Sequence, residues 1–169
     1  TLLGHGNWIS SLDVSKNRKL TTLYCHGNNL STQALDDIYC SLPDRTGNTN
    51  GVIQPVYNSS SADHATVLAT NKTNAIAKNW KVQYADDTDI PATTGSYTCP
   101  QLNMSRYITL TVKSGEAISL GLWATANITP IRIVSGSNTK DIIVNNVWKE
   151  KAYYTAGSTT MTIYGDLKR

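Results

Sequence analysis

Three histidines and three cysteines are the side chains of this 169-residue sequence best suited to catalysis or metal binding. His5 and His26 are 21 residues apart, in equivalent places of a repeated segment. Their rings can stack on one face as a weak metal site or a pH-sensitive pair, or they are surface residues inherited with the repeat. His64 stands alone. No spacing supports a Ser–His–Asp or Cys–His arrangement, so we predict no catalytic residue and no enzymatic activity.

The number of cysteines is odd, so three cysteines cannot all form disulfides within the chain. Cys25 stands at an inward position of the repeat, where a small apolar side chain packs well, so we expect it in the core. Cys40 and Cys99 form a disulfide if the compartment is oxidising and their Cα atoms come within reach, which the spacing alone leaves open. No C-x-x-C or H-x-x-x-H spacing occurs, so we expect no zinc site and no cofactor.

Three carboxylates, those of Asp86, Asp87 and Asp89, fall close together in a polar stretch. Calcium prefers such hard oxygen ligands, but the Gly and the distal Glu of an EF-hand are missing. The pattern therefore favours a solvated acidic turn over a metal site.

The β-rich second half of the sequence has a generous supply of aromatic residues. Tryptophan and tyrosine rings on a flat sheet can stack on sugars, which would make this half a carbohydrate-binding module. Because phenylalanine is absent, the same rings must also supply bulky core. The candidates are Trp123, Trp148, Tyr153, Tyr154 and Tyr164.

Composition excludes two classes of partner. The net charge of +3 is small and scattered, which does not indicate nucleic-acid binding. No apolar run reaches the roughly 18 residues of a membrane span. Thr1 begins in mid-pattern and the sequence stops after a strand-like run, so we expect a piece of a longer protein.

The opening residues repeat at an offset of 21. Two stretches beginning at Ile9 and Leu20 both follow the L-x-x-L-x-L-x-x-N pattern of a leucine-rich repeat. Leu23 and Cys25 would point inward, and the asparagine would turn the chain by bonding to the backbone of neighbouring coils. The matching positions are Leu2, Gly4, His5, Gly6, Asn7 and Ile9 with Leu23, Cys25, His26, Gly27, Asn28 and Leu30.

The repeat then gives way to alternating helices and strands. Residues 31–43 predict a helix, with Ser31 or Thr32 as its N-cap and Pro43 as its end. A second helix is expected over 69–78, between strand-like stretches at 51–57 and 80–84. Short links between these elements imply a parallel sheet that continues the repeat.

The remaining sequence divides into a loop and a β-rich segment. Residues 86–105 show no apolar stripe and predict a linker. From residue 106 the apolar residues alternate with polar ones, in short strands separated by turns. We therefore predict an α+β fold: the end of a leucine-rich-repeat solenoid with α/β capping units (1–85), a linker (86–105) and a small antiparallel β-sandwich (106–169).

Several stretches resemble the internalin-like leucine-rich-repeat surface proteins of Gram-negative anaerobic bacteria. The resemblance lies in Leu12-Asp13-Val14-Ser15-Lys16-Asn17, Leu20-Thr21-Thr22-Leu23-Tyr24-Cys25, the segment from Leu35 to Arg45, and Ala77-Lys78-Asn79-Trp80-Lys81-Val82. It covers roughly the first half of the chain, although only about one and a half repeats are present. It implies a virulence-type adhesin, at the cell surface or secreted, that binds a protein on a host or neighbouring cell rather than turning over a substrate.

Binding residues are expected on the outward strand face. Our candidates are Thr22 and Tyr24, with Ser11 and Asp13 beside them. We also expect that the apolar edge of the solenoid, around Leu2, Ile9 and Leu12, self-associates or is covered by a partner chain.

Overall fold

A computed structural model describes residues 1–146 and 150–168 of the chain. The fold is mixed α/β with several separate sheets, and it divides into two compact units, Thr1–Cys99 and Pro100–Arg169. No described helix has the length and apolar character that crossing a membrane requires.

The first unit is built on a four-stranded parallel sheet. Its strands lie side by side in chain order, and one inward row of Leu2, Leu23, Ile53 and Val82 crosses all four of them in register. Leu2 pairs with Leu23, so the 21-residue offset of the sequence is the register of the first two strands. The elements are β1 (Leu2–Leu3), β2 (Thr22–Tyr24), α1 (Thr32–Ser41), β3 (Gly51–Gln54), α2 (His64–Leu68), α3 (Thr73–Ile76) and β4 (Trp80–Val82).

Asn28 links the two copies of the repeat. Its Nδ2 donates to the carbonyls of Gly4 (2.7 Å) and Cys25 (2.9 Å), and its Oδ1 accepts from the Ile9 N–H (3.0 Å). One side chain thereby satisfies backbone groups of both copies, which explains why the pattern places asparagine there. Cys25 lies beside it in the core as a free thiol, as predicted, and burial raises its pKa to about 12.

Helix α1 matches its sequence prediction closely. The Ser31 hydroxyl caps it by accepting from the Ala34 N–H (3.2 Å), and Leu35, Ile38 and Tyr39 are buried against the sheet. At its other end, Lys78 Nζ donates to the carbonyls of Tyr39 and Cys40, which supplies partners for the last turn. Burial lowers the pKa of this lysine to about 8.

The predicted helix over 69–78 is confirmed only for its middle, where the short helix α3 lies. The chain forms the separate helix α2 before it, and a turn joins the two. The Thr70 hydroxyl donates to the Val67 carbonyl (2.6 Å) at the end of α2. The next backbone N–H, that of Asn71, donates to the buried carboxylate of Asp36 on α1 (2.8 Å). These bonds satisfy the backbone of the turn through side chains, and the helix does not continue.

The predicted linker is wrong over residues 86–99, which belong to the first unit. Ile90 is buried in its core, and the Tyr97 carbonyl accepts from the side chains of Asn71 and Asn74, both at 2.8 Å. We call residues 86–99 the strap. The strap ends at Cys99, which forms a disulfide with Cys40 of α1 across a Cα–Cα distance of 5.4 Å.

The second unit consists of antiparallel strands in two sheets, of order β5-β10-β7-β8 and β6-β9. The strands are β5 (Tyr107–Thr111), β6 (Ala117–Leu122), β7 (Thr129–Ser135), β8 (Asn138–Val144), β9 (Glu150–Thr155) and β10 (Thr160–Tyr164). Ile131, Ile133 and Met161 of the larger sheet share one core with Ala152 and Tyr154 of the smaller one. The alternation seen in the sequence is that of inward and outward residues of these strands.

The disulfide closes a loop with a sequence separation of 59 residues. Cross-linking a loop of that size lowers the conformational entropy of the unfolded chain, which raises the free energy of unfolding by about 4 kcal/mol. We expect the Cys40→Ala/Cys99→Ala variant to lose about this much free energy of unfolding. The measurement is denaturant unfolding followed by helical circular dichroism, since all the described helices lie in the first unit.

Reductant provides the control for that measurement. The natural sequence should lose the same free energy when reduced, and the double variant should not respond to reductant. A loss below about 1 kcal/mol in both comparisons would contradict a stabilising role for the strap disulfide.

Candidate functional site

The side of the first unit's sheet opposite its core carries the best candidate for a binding surface. Since the row from Leu2 to Val82 points inward, the residues that alternate with it point outward. They form two in-register rows, one of Leu3, Tyr24 and Gln54 and one of Thr22, Val52 and Lys81. We call this surface the outer face: Leu3, His5, Thr22, Tyr24, His26, Val52, Gln54, Tyr57 and Lys81.

The outer face continues past the strand ends as a row of rings. The Gly4 N–H donates to the Tyr24 carbonyl (2.9 Å) and the Gly6 N–H to the His26 carbonyl (3.0 Å), which extends the parallel pairing. The His5 and His26 rings stack at a centroid distance of 4.9 Å, and Tyr57 packs its edge against His26 at 5.5 Å. Three rings from three successive segments therefore stand side by side.

This surface leaves large apolar groups in water. Leu3 is 61% exposed and Tyr57 is 58% exposed, while Tyr24, which pairs with Leu3 in the same row, is half-buried. Aromatic side chains of this kind are enriched in protein–protein interfaces, because they bury much area at low cost in conformational entropy. The outer face is thus suited to contact with another molecule.

The environment of His26 favours its neutral form. Burial lowers its pKa, the neighbouring His5 lowers it further, and the carboxylate of Asp63 acts in the opposite direction. The stacked pair therefore has the geometry of a pH-sensitive contact. The structure brings together His5 and His26, the pair predicted from the sequence. His64 is not part of this pair, and its Nε2 forms a hydrogen bond with the Tyr84 hydroxyl (2.8 Å).

The carboxylates of Asp86, Asp87 and Asp89 do not converge on a common metal position, and two of them form hydrogen bonds with side chains at the ends of the sheet strands. The amide of Gln54 donates to Asp87 Oδ1 (3.0 Å), and the amide of Gln83 donates to Asp89 Oδ1 (2.9 Å). Asp86 accepts from the N–H and hydroxyl of Thr88 instead, which lowers its pKa. Within residues 1–146 and 150–168, no three His, Cys, Asp or Glu residues group around a metal position.

The four predicted contact residues do not lie together. Thr22 and Tyr24 lie on β2 and belong to the outer face. Ser11 and Asp13 lie in an irregular segment between β1 and β2, so their expected place on a strand is wrong. The sequence contains two similar stretches, Leu12-x-Val14 and Leu23-x-Cys25. Only the second forms a strand, which pairs with the residues 21 positions earlier.

Three further residues of the outer face, Leu3, Val52 and Tyr57, are not among the binding residues predicted from the sequence. Counting 21 residues back from Tyr24 gives Leu3, so the repeat itself held this signal. Val52 and Tyr57 follow a longer insertion, where the offset no longer applies.

The aromatic residues of the second unit are divided between core and surface. Tyr154 is buried, Tyr153 is 66% exposed, and Trp123 is 38% exposed with Lys168 Nζ 4.6 Å from its ring centroid. Trp148 lies outside the described residues.

Comparison with known proteins gives no match to a family model, to a curated protein or to a solved structure. Function is therefore inferred from the two units themselves.

The lowered pKa of His26 makes the first unit sensitive to mild acid. The unfolded chain takes up this proton near the ordinary pKa of 6.5, whereas the folded chain resists it. Stability is thus fully present above that pH and declines as pH falls below it towards the folded pKa. We expect the free energy of unfolding, measured between about pH 7.5 and pH 5, to decline less in His26→Gln. An identical decline in both proteins would contradict this account.

Proposed function

We propose that this chain is a non-enzymatic part of an adhesin, exposed at the cell surface or secreted. It attaches to a protein on a host or neighbouring cell through the outer face. The observation that carries the proposal is the outward surface of the sheet, where Leu3 and Tyr57 are exposed and Tyr24, in register with Leu3, is half-buried.

The array can supply useful binding energy. Fully burying a large apolar side chain contributes about 1.5–3 kcal/mol, so even two exposed anchors provide a substantial part of a moderate affinity. The inner row fixes the backbone beneath them, because Leu23 and Ile53 are fully buried. A surface fixed before binding loses little entropy when a partner docks.

The polar groups at the rim support binding rather than turnover. The carboxylates of Asp87 and Asp89 already accept hydrogen bonds from Gln54 and Gln83. Both interactions fix the strap loop against the sheet and so shape the border of the outer face.

The disulfide between Cys40 and Cys99 supports the proposed location. Disulfides form and persist in oxidising compartments, including the periplasm, the cell surface and the extracellular medium.

The solenoid interpretation rests on the same contacts. The 21-residue register of β1 and β2, the parallel order of four strands and the bridging side chain of Asn28 are the features that a stacked leucine-rich repeat requires. We propose that the first unit is the end of such a solenoid, with α1, α2 and α3 as parts of its cap.

Tyr24→Ala tests the proposed contact. Beads coated with the full chain are expected to attach to cultured cells, and Tyr24→Ala should lower the equilibrium attachment about tenfold, since interface tyrosines often carry more than 1 kcal/mol. Tyr153→Ala, which removes an exposed tyrosine of the second unit, is the matched control and should attach normally.

Protease treatment of the cells should abolish attachment if the partner is a protein. Full attachment of Tyr24→Ala with an unchanged unfolding temperature, or attachment that survives protease, would contradict the proposal.

The free side of β1 is a second contact surface. Because the N–H groups of Gly4 and Gly6 bond to β2, those of Leu3 and His5 point to the open side of the sheet. Asn7, which is equivalent to Asn28, donates to the carbonyls of Gly4 and His5 in its own turn. We propose that two copies of the chain associate along this edge.

Leu3→Pro tests the edge. Proline removes an outward N–H, a change that an edge strand tolerates, so the fold should persist while pairing is blocked. Sedimentation equilibrium should show a concentration-dependent dimer for the natural sequence and a monomer for Leu3→Pro. A natural chain that stays monomeric at high concentration would contradict edge association.

A further inference from the structure

A continuous row of four side chains crosses the larger sheet of the second unit. In-register pairing places Tyr107 beside Tyr164, Tyr164 beside Arg132, and Arg132 beside Asp141. Ile133 and Ile163, which alternate with Arg132 and Tyr164, are buried in the core. The four side chains therefore project from the opposite surface, and we call them the tyrosine–arginine row.

The two tyrosines form an open aromatic platform. Their ring centroids are 5.8 Å apart with an interplanar angle of 52°, and Tyr107 is 62% exposed. An exposed ring next to a second ring offers an apolar surface to the C–H face of a flat molecule. The aromatic residues of this half predict such a platform from the sequence, but Tyr107 is not among the residues predicted to form it.

The other end of the row is polar and held in one geometry. Arg132 donates through Nε to Asp141 Oδ1 and through Nη2 to Asp141 Oδ2, both at 2.7 Å. A guanidinium has five N–H donors, so this bidentate pair leaves several donors beside the rings, fixed in direction. Each carboxylate oxygen has more than one lone pair, so the oxygens of Asp141 that accept from Arg132 can also accept from a sugar hydroxyl.

The adjacent row adds hydroxyl groups. Thr109, Thr162 and Thr139 stand in register two residues further along β5, β10 and β8, with Val134 between the last two. A surface that joins apolar rings with directed donors, acceptors and hydroxyls matches a pyranose ring, which has an apolar C–H face and an equatorial belt of hydroxyls. A protein partner would instead favour several apolar anchors.

The charge of the row selects among sugars. The positive charge of Arg132 is paired with the negative charge of the Asp141 carboxylate, so the row has no excess cation to attract sulfate or carboxylate groups. We propose that the tyrosine–arginine row binds a neutral oligosaccharide, with a sugar ring on Tyr107 and Tyr164 and its hydroxyls bonded to Arg132 and Asp141. This site is separate from the outer face and gives the chain a second, glycan-directed specificity.

Binding is tested with the full chain and defined probes. The probes are hexasaccharides of β-1,4-linked glucose, β-1,4-linked N-acetylglucosamine and α-1,6-linked mannose, with a sulfated hexasaccharide for comparison. Isothermal titration should show saturable binding of at least one neutral probe and no stronger binding of the sulfated one.

Variants locate the binding. Tyr107→Ala should weaken the neutral probe about tenfold, whereas Tyr107→Phe should retain most of the affinity because the ring is kept. Arg132→Lys should weaken it as well, since lysine cannot reproduce the bidentate pair. Tyr153→Ala is the matched control, because it removes an equally exposed tyrosine from the smaller sheet.

Three results would overturn the proposal: no neutral probe binds at millimolar concentration, the sulfated probe binds more tightly, or Tyr107→Ala and Arg132→Lys both bind like the natural chain. The outcome is independent of the adhesin proposal, since Tyr107→Ala leaves the outer face intact and Tyr24→Ala leaves the row intact. Protease-sensitive attachment and glycan binding can therefore fail separately.

Discussion

The inward row of Leu2, Leu23, Ile53 and Val82 sets the geometry of the whole first unit. Parallel strands pair with a fixed register, so burying this row on one side of the sheet brings the intervening residues into matching rows on the other. A shift by one residue would exchange the two faces, exposing Leu23 and Ile53 and burying the lysine Lys81. The large energetic difference between those arrangements is what keeps the outer face in one conformation.

Polar side chains then complete the packing where the short strands end. Asn28 bonds to both repeat copies, and Lys78 supplies donors to the last carbonyls of α1. Gly51 lies against the Trp80 ring so closely that an added Cβ would be 2.5 Å from a ring atom. Each position has a residue type that the local geometry requires, and together they allow strands of two to four residues to form a stable sheet.

Features with local signals were predictable from the sequence, whereas those set by distant contacts were not. The 21-residue offset gave the register of β1 and β2, and the cap and stripe gave α1. Segment 11–14 resembles the strand pattern of Thr22–Tyr24, and only pairing across the sheet distinguishes the two. The break in the second helix depends on the Asp36 carboxylate accepting from the Asn71 N–H. The strap is held by contacts with distant residues and by the disulfide from Cys99 to Cys40. Likewise, alternation predicted β-strands in the second unit, but the strand order determines which side chains become neighbours in its outward row.

The buried thiol of Cys25 has a consequence for how the chain withstands an oxidising environment. A cysteine attacks a disulfide only as thiolate, and burial of Cys25 raises its pKa to about 12, so the thiol stays protonated at neutral pH. Once folded, the chain thus carries an odd cysteine that neither scrambles its own cross-link nor joins to a foreign one. The molecule keeps a single covalent connectivity for as long as its core stays closed.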